Sequence, residues 1–329
     1  MEAPIAFVTG AEGFIGSHLT SSLIRAGYRV KALVQYNSFQ SNGWLKQLSK
    51  EEMQAVEIVW GDVRDAALIH ASVQGVSQIF HLAALVSIPY SYQAAQSFVD
   101  VNISGTLNVL EAAKHAHVSR TLIISTSEVY GTAQYVPIDE AHPLQPQSPY
   151  SASKIGGESL ALAYHRSYEL PLTVVRPFNN FGPRQSTRAI IPTIITQLLS
   201  GSKELVLGDL RPTRDFVFVK DTATALLAIA QCDELIGEVV NIASGKDISM
   251  GELAHLLIEK IQADVSVMQD PQRIRPSASE VLRLCGDATR LHKTTGWKPN
   301  FSLSKGLDVC IDWYRKPENL TLFPKGYFV

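Results

Sequence analysis

The chain has 329 residues, 46% of them hydrophobic and 18% charged, with a formal net charge of −2. That is enough apolar material for a large core with a smaller unit attached, and the near-neutral balance argues against a polyanion-binding surface, so no nucleic-acid partner is expected. Cys232, Cys285 and Cys310 are widely spaced and form no C-x-x-C, which reads as reduced thiols with neither disulfide nor metal.

Met1-Glu2-Ala3-Pro4 runs straight into an apolar strand, without a basic and then apolar leader. No apolar run approaches the ~20 residues that cross a bilayer, so a cytoplasmic protein with no membrane contact is expected. Strands are predicted at 5–8, 28–34, 56–60, 78–82, 121–125 and 172–175. Helical spacing runs from Phe14 to Ala26, stopping at Gly27, and again from Phe98 to Ala116. Strand–helix repetition with nearly continuous apolar strands predicts an α/β fold, a Rossmann-type doubly wound parallel sheet covered on both faces. After Arg176-Pro177 the chain becomes rich in Pro, Gly and Arg, as loops around a cleft are. Helices are expected at 221–230 and 250–261, a strand at 238–242, and a helical tail over 288–315 broken near Gly296. The predicted organisation is a dinucleotide-binding domain over 1–178, re-entered at about 216–245, and a smaller C-terminal substrate domain from 179–215 and 246–329.

Thr9-Gly10-Ala11-Glu12-Gly13-Phe14-Ile15-Gly16 follows the first strand and opens the first helix. Glycines there allow a tight turn and a close approach to a pyrophosphate, and the helix N-terminus supplies N–H donors. The second strand should end in an acid that grips the adenosine ribose. It ends instead in Val34-Gln35-Tyr36-Asn37-Ser38, with neither that acid nor an Arg for a 2′-phosphate. NAD and NADP are both open at this point. Asp62, in Gly61-Asp62-Val63, is either an adenine contact or a plain turn residue.

Ser125-Thr126-Ser127-Glu128-Val129-Tyr130-Gly131 ends the fifth strand, where ligands of such sheets sit. Thr126 and Glu128 are two apart, so an extended backbone would aim both the same way. Tyr150-Ser151-Ala152-Ser153-Lys154 opens a helix and puts Tyr150 and Lys154 on one face. A phenol with a pKa near 10 is a poor base at neutral pH, and a neighbouring ammonium is expected to draw it down.

These motifs resemble the extended short-chain dehydrogenase/reductases, the NAD-dependent epimerase/dehydratase family, over essentially the whole length. Further carriers are His81-Leu82-Ala83-Ala84, the run from Arg176 to Arg184, and Arg214-Asp215-Phe216. Within that group the chain is most similar to nucleotide-sugar 4,6-dehydratases. The closer likeness, carried by 83–92, 130–138 and 190–197, is to those acting on nucleotide-linked N-acetylglucosamine in legionaminic-type acid biosynthesis. The resemblance implies hydride transfer by Thr126, Tyr150 and Lys154, with Glu128 as the dehydratase base. Ser127 stands where many such enzymes carry an Asp as general acid, which leaves the acid open. Cofactor contacts are implied for Gly10, Gly13, Phe14, Ile15, Gly16, Asp62, Val63, Leu82, Ala83 and Ala84, with Tyr150 and Lys154. Substrate contacts are implied for Ser87, Asn179, Arg184, Pro192, Arg214 and Arg275. NAD, a nucleotide-sugar substrate and a homodimer are the implied partners. UDP-glucuronate decarboxylases and C4-epimerases are similar too. A non-catalytic dinucleotide sensor is the alternative of another class, and it would have little reason to keep Tyr150, Lys154 and Glu128 together.

Overall fold

The strands β1 (Ile5–Thr9), β2 (Arg29–Gln35), β3 (Val56–Gly61), β4 (Gln78–His81), β5 (Arg120–Ile124), β6 (Leu172–Pro177) and β7 (Val239–Ile242) build one parallel sheet in a computed structural model that describes residues 3–274 and 276–323. Their order is β7-β6-β5-β4-β1-β2-β3. Alternation along each strand feeds two cores. Phe7, Ile79, Ile123 and Val174 pack on one face, and Ala6, Val8, Leu122 and Val175 on the other. Burial on both faces is why these runs are apolar throughout. Strand order reverses between β1 and β4, which opens a crevice beyond their carboxyl ends.

Four helices frame that crevice. α1 (Phe14–Arg25) follows the glycine turn. α2 (Gly105–His115) is preceded by a π turn at Asp100–Ser104, so the helix expected over 98–116 is not continuous. The wider turn brings Asn102 to the Leu85 backbone, at 2.9 and 3.1 Å, and to Ser153 Oγ at 2.9 Å. α3 (Pro149–Tyr168) starts on a capping box between Ser148 and Ser151 with proline at its first position. α4 (Val219–Ala230) lies against α1, and the chain then returns to the sheet as β7 beside β6.

A third core lies between the helices Ile190–Leu199, Met250–Ile261 and Leu303–Arg315 and the strands Glu204–Leu207 and Thr213–Phe218. Periodicity missed both strands, which are short and flanked by Gly and Pro. Val281, Leu284, Leu291 and Trp297 pack into the large-sheet core. The stretch near 281–297 therefore departs from the smaller unit expected over 246–329. Among the described residues no helix is long and apolar enough to cross a membrane.

Beneath the crevice Arg176 and Glu158 form a buried ion pair, with Nη2 2.6 Å and Nε 3.0 Å from the carboxylate. Arg176 Nη1 also donates to Tyr130 Oη at 3.0 Å. Removing one partner strands a buried charge. Glu158→Ala is expected to lower unfolding free energy by about 3–5 kcal/mol. Urea denaturation checks this, and a loss below about 1 kcal/mol would count against a structural role for the pair.

Candidate active site

The glycine turn is closed by its own backbone. Gly10 has φ +67°, and a Cβ there would lie 2.9 Å from Ala83 N. A Cβ at Gly16 would collide with the Gly10 carbonyl. Only glycine lets α1 seat this closely on the loop after β4. Gly13 caps α1 without a side-chain bond, and the first turn carries no acid. The free N–H groups and the dipole end suit a diphosphate.

From this turn a cleft of about 580 Å³ runs along the carboxyl ends of the strands. Following the strand order, Asp62 and Val63 line the end beyond β3, Gly10, Gly13, Phe14, Ile15 and Gly16 the part beyond β1, and Leu82, Ala83, Ala84 and Ser87 the part beyond β4. Thr126, Ser127, Glu128, Tyr150, Lys154 and Asn179 line the opposite end, around β5 and β6. Residues distant in sequence thus meet on one surface. Asp62 is held by Arg64, whose Nε and Nη2 lie 2.9 and 2.7 Å from its carboxylate oxygens.

Three of the expected substrate residues do not line this cleft. Arg184, at φ +74°, turns its Nε to Gln47 Oε1 at 3.2 Å. Pro192 is buried in the helix Ile190–Leu199. Arg214 stands behind Glu128, with Nε 4.0 Å from its carboxylate and Nη2 3.2 Å from Glu280. It does not pair with Asp215. Strand alternation sends Asp215 the other way, to the N–H groups of Ser244, Gly245 and Gly286. Arg275 lies outside the described residues.

Thr126 is extended, but the chain then enters a 3₁₀ turn over Ser127–Tyr130 that Thr126 caps through its Oγ1, 3.2 Å from Glu128 N. Strand alternation is therefore not what places Glu128 near Thr126; a capped turn does so. Tyr150 is buried, edge-on to Phe98 at 6.1 Å between ring centres, and bonded to the Thr126 side chain. Burial pushes its phenol up to about 12, against the pull of the Thr126 hydrogen bond and with the Glu128 charge adding to the rise. This corrects the expectation that Lys154 draws the phenol down. The Lys154 ammonium donates to the Ile124 carbonyl at 2.7 Å, and burial lowers it to about 8 despite the Glu158 charge.

His81 bridges Thr9 Oγ1 at 2.8 Å and Thr106 Oγ1 at 3.0 Å, and His18 meets the Pro183 carbonyl at 3.1 Å. Both are brought down to about 3. Burial is the main cause, helped by the Lys154 charge for His81 and the Arg184 charge for His18. Their folded values lie below the ordinary 6.5, so the unfolded chain binds protons first on acidification. Their contribution to stability is then lost as pH falls from about 6.5. Asp215 and Asp221, raised by burial, pull the other way. Comparing wild type with His81→Asn separates the two: the urea midpoint should fall less in the variant between about pH 7 and 5. Equal slopes would be the contrary result.

Sequence reasoning passed over four further residues. Asn102 ties the cleft wall at Leu85 to α3, and a lone Asn on a buried helical face was its one signal. Glu12, Ser125 and Gln185 line the cleft and, like Asn179, each carry a buried oxygen with no hydrogen-bond partner in the protein: Glu12 Oε2, Ser125 Oγ, Gln185 Oε1 and Asn179 Oδ1. Buried polar atoms are rarely left so. Their gathering on one cleft is what a polar ligand would satisfy.

A family described as GDP-mannose 4,6-dehydratase matches residues 7–309. A dTDP-glucose 4,6-dehydratase of an Actinoplanes species is 34% identical over 313 residues, covering 94% of this chain and 97% of that protein. The crystal structure of DesIV, a dTDP-glucose 4,6-dehydratase from Streptomyces venezuelae with NAD bound, superimposes with a TM-score of 0.86 at 31% identity, covering 97% of this chain and 98% of that one. A UDP-N-acetylglucosamine 4-epimerase from Methanobrevibacter ruminantium M1 has a TM-score of 0.86 at 29% identity, covering 95% of this chain and 99% of that one.

Proposed function

Because the chain belongs to the GDP-mannose 4,6-dehydratase family of NAD-dependent nucleotide-sugar enzymes, we propose that it converts a nucleotide-linked N-acetylglucosamine, carried by UDP or GDP, to the 4-keto-6-deoxy sugar. The observation that carries the dehydratase chemistry is the carboxylate of Glu128. It lies on the same cleft end as Tyr150, close enough for its charge to act on the phenol. A simple C4-epimerisation gives that carboxylate nothing to do. The N-acetylglucosamine part rests on the likeness of 83–92, 130–138 and 190–197.

The glycine turn, the bare N-terminus of α1 and the orphaned oxygens fit a dinucleotide. NAD, when bound, supplies a positive ring that accepts hydride from C4 and returns it to C6. Tyr150 Oη takes the C4 hydroxyl proton, and the Thr126 hydrogen bond favours its phenolate. The C4 ketone so formed acidifies the C5 hydrogen. Glu128 takes that proton, and the C6 hydroxyl leaves as water after receiving it. Ser127 is a poor acid at neutral pH, so Glu128 carries the proton from C5 to the leaving oxygen. Saturating C5 as hydride returns to C6 needs one more proton, which Glu128 delivers after taking one up from solvent, while Tyr150 releases the C4 hydroxyl proton to solvent, so the cycle closes with one water lost. Asn179, with its unpartnered oxygen, is assigned to substrate, and Arg214 to steadying Glu128 from behind. Arg184 and Pro192 sit off the cleft and receive no contact role.

Self-association is proposed through the helices around 99–168, supported by the exposure of Val99, Leu107 and Tyr168. A cytoplasmic location is likewise proposed, from the composition. Mass spectrometry of products from UDP- and GDP-N-acetylglucosamine, dTDP-glucose, GDP-mannose and UDP-glucuronate tests the assignment. Loss of one water from an N-acetylglucosamine substrate is expected. Release of CO₂, unchanged mass with C4 epimerisation, or dehydration of another hexose alone would overturn it.

A further inference from the structure

We propose that Glu12 selects the dinucleotide: its carboxylate takes the adenosine-ribose role that an acid at the end of β2 fills in other such sheets, and it rejects a 2′-phosphate. This rests on the dinucleotide part of the proposed function and not on the sugar chemistry.

The vacancy is visible in the sequence, since β2 ends at Gln35 and no acid follows in Tyr36-Asn37-Ser38. Glu12 reaches that strand end from the glycine turn. Its Oε1 accepts the Gln35 N–H at 2.9 Å, so the carboxylate is lodged where β2 lacks its own. The Glu12 carbonyl accepts the Trp44 N–H at 2.9 Å, which fixes the residue from a second side. Glu12 lines the cleft beside Gln35 and Asp62, and its Oε2 is buried without a partner. Burial holds the carboxyl above its ordinary range, against the pull of the Gln35 N–H. A group in that state gains from a hydroxyl donor. A phosphate would meet a like charge in a partly dry site. The Arg64 guanidinium, next to Asp62 on the cleft wall, is already engaged by both oxygens of that carboxylate, so it offers a 2′-phosphate little compensation.

The purified protein is equilibrated with equimolar NAD and NADP, and the bound dinucleotide is released by denaturation and quantified. Wild type is expected to hold NAD in excess by on the order of 100-fold. Glu12→Gln keeps the shape and the Gln35 hydrogen bond but removes the charge, and should shrink that excess by about 10-fold or more. Glu12→Ala should shrink it as well and weaken NAD retention. If Glu12→Ala does not fold, Glu12→Gln alone decides. An unchanged ratio in the folded variants, or a wild-type preference for NADP, overturns the proposal. Wild type that holds neither dinucleotide would instead overturn the dinucleotide reading itself.

Discussion

Glu128→Gln is expected to cut formation of the dehydrated sugar by on the order of 10²–10⁴-fold, while substrate still binds and the bound dinucleotide accumulates in its reduced form. The amide cannot accept the C5 proton, but nothing about C4 oxidation requires that acceptance. The cycle therefore stalls after its first half, and reduced cofactor absorbance reports the stall. The substitution also breaks the ion pair with Arg214 at 4.0 Å. Arg214 keeps Glu280 at 3.2 Å, so the wall behind the site retains a carboxylate partner. Substrate retention measured alongside turnover separates lost chemistry from lost binding. Normal turnover in this variant would remove Glu128 from the mechanism and reopen the epimerase alternative.

Tyr150→Phe is expected to abolish both halves, with a loss on the order of 10²–10⁴-fold and no reduced cofactor on adding substrate. The ring packing against Phe98 survives the change, so folding should too. The contrast in cofactor absorbance distinguishes the two variants: reduced in Glu128→Gln, oxidised in Tyr150→Phe. A phenol held up to about 12 exists mostly in its inactive acid form at neutral pH. C4 oxidation should consequently climb with pH above neutrality. Thr126→Val removes a hydrogen bond that favours the phenolate and should move the climb to higher pH. A pH profile identical to wild type would show that Thr126 does not act on the phenol.

The site was partly legible because some of its geometry is local. The glycine turn is a run of adjacent residues whose spacing is itself the structure. Tyr150 and Lys154, four apart, had to share a face of α3 once that helix formed. Thr126 and Glu128 were found together, but for the wrong reason: a threonine able to cap its own turn prevailed over strand continuation. What Lys154 binds was not legible. Its partner, the Ile124 carbonyl, is 30 residues away and depends on how α3 docks on β5. Arg214 likewise offered Asp215 as an obvious neighbour, and alternation along its strand separated them.

The sequence by itself determined the parallel sheet and the glycine turn and singled out the phenol and carboxylate proposed for the chemistry, since periodicity and adjacent-residue chemistry need no distant partner. Tertiary structure alone decided which polar atoms face one another: Glu12 at the end of β2, Asn102 in its π turn, Arg214 behind Glu128, and a buried rather than acidified Tyr150. It also moved residues near 281–297 into the large core. Those outcomes turn on desolvation and on hydrogen bonds between segments far apart in the chain, and neither is written in any local pattern of residues.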